Sequence, residues 1–299
     1  MAVSADNTHH GENEYWVSPA RNFRTSARLR LQHFLTQNTL DCLLESPIHD
    51  HITNNGSKSL KVADLACGNG AWLIDLQSEM CRKGISAELD GFDVNTALFP
   101  HPDQLPGSVT LKQLDILKSP PNERTGLYDI VHIRYSVSLV IKSNVTPLLS
   151  TALAFLKPGG FIQWEEMRAD SFLVESPSPL ISKTACDTIA GEMAAGCKVH
   201  GLESGWVYKL DQHLSSHGFE NVGMRTIQKR KQDMKGWTED FLMVWEELDY
   251  AFPPSSKEPQ ATITRERFRD LFVQAVKETE QGVFIHEGNI MAAVGQKPE

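Results

Sequence analysis

Short apolar runs recur along the chain, separated by stretches with helical or loop character. They read LKVADL (60–65), AELDGFDV (87–94), VTLKQLDI (109–116), YDIVHIRY (128–135) and GFIQWEE (160–166). Each is a short apolar run of strand length. Five such strands with helical crossovers predict a parallel, doubly wound sheet. FENVGMRTIQ (219–228) and GNIMAAVGQ (288–296) supply a sixth and a seventh strand. Upstream, Leu29, Leu31, Phe34, Leu35, Leu40, Leu43 and Leu44 suit one or two amphipathic helices between Ser26 and Leu44.

Two segments interrupt this rhythm. Residues 170–210 are helical in pattern, and residues 233–283 hold WTEDFLMVWEELDYAF, a Pro-rich break and TRERFRDLFVQAVKETE. Thr264 is the N-cap expected for the last helix, which places Phe268, Leu271, Phe272 and Ala275 on one face. Both segments read as a helical cap over the carboxyl ends of the strands. The organisation expected is a disordered tail (1–14), an N-terminal helical lid (15–58) and a core (59–169). A first cap insertion (170–210), a core helix and strand (211–232), a second cap insertion (233–283) and the last core strand (284–299) follow.

Composition narrows the function classes. In 299 residues there are 29 basic and 38 acidic side chains, a net charge of −9 without any block of one sign. Nucleic acid is disfavoured as a partner, since phosphates ask for a basic face. The basic run Lys229-Arg230-Lys231 reads as a solvated strand end. Cysteines at 42, 67, 81, 186 and 197 are odd in number and lack CxxC spacing, so neither a disulfide framework nor a zinc site is expected, and no acid/His cluster has metal-ligand spacing, so no bound metal is expected. His9 and His10 read as solvent residues. No long apolar run suggests a membrane span or secretion, and the chain reads as cytoplasmic, a monomer or homodimer.

The chemistry concentrates in KVADLACGNGAWLIDL (61–76), where a strand passes into a helix through the small residues Ala66-Cys67-Gly68-Asn69-Gly70. Such a joint lets backbone approach a ligand, and the helix start offers free N–H groups. A dinucleotide fingerprint fails, because a G-x-G-x-x-G begun at Gly68 ends on Leu73. Asp64 at the end of the first strand would repel a pyrophosphate but suits a cationic amino group. Asp93, closing the second strand, can accept both hydroxyls of a ribose. Asp115, closing the third, can accept from an adenine amino group. Ribose, adenine and a cationic amino-acid tail together describe S-adenosylmethionine.

VADLACGNGAWLIDL, GFDVN, LDI, YDIVHIR and LKPGGFIQWEE together resemble the class I S-adenosylmethionine-dependent methyltransferases, over residues 60–166. With RLRLQH (28–33), the wording is most similar to a fungal group that methylates secondary metabolites or regulates their production. The resemblance implies a Rossmann-like, doubly wound seven-stranded sheet, mostly parallel with the last strand antiparallel, under a helical cap. It further implies that Asp64 and the backbone from Ala66 through Gly68 to Gly70 hold the methionine part. Asp93 would hold the ribose, with Val94 beside the adenine and Asp115 and Ile116 framing it. Ile133 and Arg134 would pass beneath the sulfonium. Segment 15–28 is similar to a lid, with Tyr15 as its contact. Ala66 stands where the family usually has a glycine.

An acceptor hydroxyl needs a base, whereas a neutral amine does not. Glu165 and Glu166, Tyr135 and the cap residue His200 are the candidates, and His132 reads rather as a core histidine. Trp72 is either a wall of the site or core packing. Met193, Trp206, Phe241, Met243 and Trp245 would line an apolar substrate pocket. The expected reaction is methylation of a hydroxyl, or second a nitrogen, of a small apolar natural product. A regulator acting through protein partners and a cofactor-binding enzyme with non-methylating chemistry remain as alternatives.

Overall fold

The computed structural model describes residues 22–56, 58–256 and 263–299. Tyr15, His9 and His10 lie outside the described residues. The core strands are β1 (Ser59–Leu65), β2 (Ser86–Asp93), β3 (Val109–Gln113), β4 (Tyr128–Arg134), β5 (Leu156–Glu166), β7 (Glu220–Ile227) and β9 (Ile290–Gln296). They lie side by side in the order β3-β2-β1-β4-β5-β9-β7. The first five pair in parallel, and β9 runs antiparallel to both β5 and β7. The mostly parallel, doubly wound sheet is the one the apolar runs predict, and the reversed last strand is the one the resemblance implies.

Both faces of the sheet are covered, which is why its strands read as apolar runs rather than alternations. Helices α2 (Ser46–Asn54) and α3 (Ala71–Arg82) bury Ile48, Trp72, Leu73 and Leu76 against Val62 and Ile130 on one face. Helices α4 (Thr146–Phe155) and α6 (Leu210–Ser216) bury Leu149, Phe155 and Leu214 against Leu65, Ile133 and Trp164 on the other. Each large apolar side chain buried this way contributes about 1.5–3 kcal/mol. Gly91 in β2 has a steric role, since a Cβ there would lie 2.5 Å from Leu111, 2.8 Å from Cys67 Sγ and 2.9 Å from Leu73. Its absence lets the joint after β1 settle close against β2.

Helix α1 (Phe23–Leu40) is capped by Asn22, whose side chain accepts from the N–H of Arg24 at 2.8 Å and of Thr25 at 3.4 Å. It packs on α7 (Met234–Glu247). Helices α5 (Thr184–Val199) and α8 (Arg265–Glu280) complete the cap with α7. Thr264 caps α8 as expected, accepting from Arg267 N–H at 3.3 Å, and Phe268, Leu271 and Ala275 are buried on its inner face.

Several expectations need correction. The third strand stops at Gln113, so Asp115 does not close it. Asp115 sits in the following turn, accepting from Leu117 N–H at 3.1 Å, because an aspartate competes for local backbone donors. The strand around GFIQWEE starts earlier, at Leu156. Residues Leu173–Glu175 (β6) and Phe284–His286 (β8) pair antiparallel in a separate two-stranded sheet at the cap. Lys229 is not solvated: it is buried, ion-paired to Glu287, with its ammonium 3.8 Å from the Trp237 ring centre. A carboxylate partner and an aromatic face together offset the cost of burying that charge. Among the described residues, no helix is long and apolar enough to cross a membrane.

Candidate active site

One cavity of about 370 Å³ lies over the carboxyl ends of β1, β2 and β4, within the size range of small-molecule sites. Asp64, Asp93 and Asp115 all line it, together with the joint residues Ala66, Cys67, Gly68 and Asn69. The backbone of the joint explains its composition. Ala66, Gly68 and Gly70 have φ of 62°, 57° and 73°, the left-handed region that glycine tolerates best. Ala66 therefore carries backbone strain where a glycine would not. Gly70 turns the chain into α3 without touching the cavity.

Asp93 ties the joint to β2. Its Oδ2 accepts from Gly68 N–H and its Oδ1 from Asn95 N–H, both at 3.0 Å. Val94, Ile116, Arg134 and Tyr135 also line the cavity, whereas Ile133 points to the opposite face of the sheet and into the core.

Beneath Asp64 lies a buried polar network. His132 Nδ1 is 2.7 Å from Asp64 Oδ1, and Nε2 is 3.4 Å from Glu165 Oε2. Trp72 stacks on the imidazole with ring centres 3.6 Å apart and planes within 4° of parallel. Trp72 is thus both cavity wall and core packing. Burial opposes a charge on His132, but the Asp64 carboxylate and its hydrogen bond outweigh that and raise the imidazole above its ordinary value. Arg134 Nε donates to Glu165, and Nη1 donates to His33 Nδ1 at 3.1 Å. His33 Nε2–H then donates to Asp75 at 2.9 Å. Burial and the Arg134 charge lower His33 from its usual value, which fits this neutral tautomer.

The structure separates three of the four base candidates, Glu165, Glu166 and His200, from the cavity. Glu165 is fully buried and does not line it. Burial alone would raise this carboxyl, yet Arg134 and His132 bring it down to about 2, leaving a spent ion-pair partner rather than a proton acceptor. Glu166 points to the other face, as alternation along a strand requires. There its Oε1 accepts from Ser136 N–H at 2.6 Å, Ser136 Oγ–H at 2.5 Å and Trp164 Nε1–H at 2.9 Å. Burial pushes it up to about 7. Tyr135 does face the cavity, at φ 53°. Thr36 Oγ–H is given to Gln32 O at 2.7 Å, so the Tyr135 hydroxyl donates to Thr36 Oγ1, also at 2.7 Å. Burial also lifts the phenol well above its ordinary value. His200 follows the last turn of α5, exposed and away from the cavity.

The far end of the cavity is apolar. Met167, Phe172, Met193, Phe241, Val244 and Leu248 form its walls, joined by the ion pair of Arg28 (α1) with Glu247 (α7) at 3.1 Å. Of the predicted lining residues, Met193 and Phe241 are present. Trp206 packs instead in the sheet core near Trp164, Trp245 in the interior of the cap, and Met243 is off the wall. Arg28, Gln32 and His33 were not singled out for a role, although RLRLQH contains all three and helical spacing puts them on one side of α1.

The strand order, with the reversed strand between its two neighbours at one edge, is a Rossmann-like doubly wound sheet, and the acid-lined joint sits at the carboxyl ends of its strands, where ligands bind in such sheets. The chain is similar to fungal proteins named methyltransferases. It is 32% identical over 174 residues to the methyltransferase grgD of Penicillium sp, covering 56% of this chain and 57% of that one. It is 29% identical over 160 residues to the N-methyltransferase verN of Clonostachys rogersoniana, covering 54% and 53%. The chain therefore spans about half the length of the curated relatives it matches. No protein-family model matches. Among solved structures, the phosphoethanolamine N-methyltransferase 2 of Haemonchus contortus, in complex with S-adenosyl-L-methionine, aligns with a TM-score of 0.43 at 14% identity, covering 81% of this chain and 50% of that one.

Proposed function

We propose that the cavity binds S-adenosylmethionine and that the chain transfers its methyl group to a nitrogen of a small apolar natural product. The observation that carries this reading is the convergence of Asp64, Asp93 and Asp115 on one cavity that continues into an apolar cap. Asp64 would take the ammonium, Asp93 the ribose and Asp115 with Ile116 the adenine. Bound there, the cofactor supplies a methyl carbon on a sulfonium, which an in-line attack releases as a neutral thioether. The protein's part is alignment and exclusion of water, and such positioning is worth about 7–11 kcal/mol.

Oxygen was the acceptor expected from the sequence because carboxylates and a tyrosine stood at the strand ends. That support falls away when Glu165 and Glu166 are buried off the cavity and the Tyr135 hydroxyl is committed to Thr36. A neutral amine needs no such acceptor for its proton during attack. The names of two relatives, verN and the N-methyltransferase tcpN of Claviceps purpurea, agree with nitrogen. The test is incubation with methyl-deuterated S-adenosylmethionine and an extract of the producing fungus, read by mass spectrometry. A labelled product carrying the methyl on nitrogen is expected. A product methylated on oxygen would overturn the acceptor, and no labelled product at all would overturn transferase activity.

A further inference from the structure

The network under Asp64 does more than fill the core. Asp64 and His132 are register neighbours on adjacent parallel strands, so their side chains stand on the same face of the sheet. The imidazole binds Asp64 through Oδ1, and among the described residues Oδ2 has no hydrogen-bond partner. Both ring nitrogens face carboxylate oxygens, Asp64 on one side and Glu165 on the other, an arrangement satisfied when both nitrogens carry protons. Trp72 lies flat on the ring and blocks its rotation.

We infer that His132 is a positioning residue: it holds the Asp64 carboxylate by Oδ1, fixing Oδ2 toward the ammonium of the cofactor's amino-acid tail. This rests on the cofactor reading proposed above. A carboxylate held by one charge-assisted hydrogen bond keeps one rotamer, so the ligand's ammonium meets an oriented acceptor and does not have to order it. The charges also balance. Arg134 and a protonated His132 offset Asp64 and Glu165, so the carboxylate that meets the ligand is not destabilised by its neighbour.

Two substitutions separate this role from packing. In His132→Asn the amide nitrogen stands where Nδ1 stood and still donates to Asp64. In His132→Gln the amide nitrogen reaches the Nε2 position and serves Glu165 instead. Both lose the Trp72 stacking and the charge. Calorimetry with S-adenosylmethionine and with 5′-methylthioadenosine, which lacks the amino-acid tail, reads the difference. His132→Asn should bind S-adenosylmethionine within about threefold of wild type and His132→Gln about tenfold or more weakly, as loss of a charge-assisted bond requires. Both should bind 5′-methylthioadenosine like wild type, which also reports an intact pocket. Equal losses in the two variants, no loss in His132→Gln, or a loss that extends to 5′-methylthioadenosine would overturn the inference. Wild-type protein that binds neither nucleoside would instead overturn the cofactor reading on which it rests.

Discussion

Glu166→Gln should make the protein more stable at neutral pH, and by an amount that grows with pH. Glu166 is fully buried, and its Oε2 has no hydrogen-bond partner among the described residues. Burial pushes the carboxyl from 4.5 to about 7 against the opposing hydrogen bonds of Ser136 and Trp164. The folded state therefore holds a proton that the unfolded chain has released. Stability is undiminished below about pH 4.5 and falls as pH rises toward 7, at about 1.4 kcal/mol per pH unit. Across that window the loss is about 3 kcal/mol. Glutamine keeps an oxygen for the Ser136 and Trp164 donors and does not titrate. The two proteins should differ little near pH 4.5, diverge between pH 5 and 7, and run parallel above. Other titrating groups are common to both and cancel. Urea unfolding at pH 4.5, 5.5, 6.5 and 7.5 is the assay. A stability difference that is constant across this range would refute the reasoning, because it would mean that Glu166 is ionised in the fold throughout.

Three further outcomes follow from the site. Asp93→Ala removes the acceptor for Gly68 and Asn95 N–H as well as the ribose contact, and titration calorimetry should show cofactor binding weakened about 10- to 100-fold. Gly91→Ala puts a methyl against Leu111, Cys67 and Leu73; thermal or urea unfolding should show a loss of about 1–3 kcal/mol, with weaker cofactor binding because Cys67 carries the joint. Ala66→Gly relieves a left-handed alanine, and the same unfolding assay should show a gain of up to about 1 kcal/mol, partly offset by the freedom glycine adds to the unfolded chain.

Much of the fold was legible because it rests on local signals. Strand-length apolar runs locate all seven core strands, and the small residues at 66–70 mark the one turn where β1 passes into α3 over a ligand site. Asp64 and Asp93 were readable as strand-end acids for the same reason. What was not legible depends on register and on side-chain direction. That consecutive Glu165 and Glu166 cannot both face one cleft was readable from alternation, but not that neither would line the cavity. That Arg134 would neutralise Glu165 follows only from the pairing of β4 with β5. The pairing of Asp64 with His132 likewise needs the β1–β4 register. Lys229 looked solvated because its partners, Glu287 and Trp237, come from distant parts of the chain. The cavity walls supplied by α1 were hidden for a similar reason, since Arg28 meets Glu247 only once α1 lies on α7.

The central claim is that the acid-lined cavity over β1 and β2 is a site for S-adenosylmethionine. The most direct measurement is a calorimetric titration of the wild-type chain with S-adenosylhomocysteine, the demethylated form of the cofactor. The account predicts saturable binding in the micromolar range at one site per chain. Absence of saturable binding by a folded protein would contradict it.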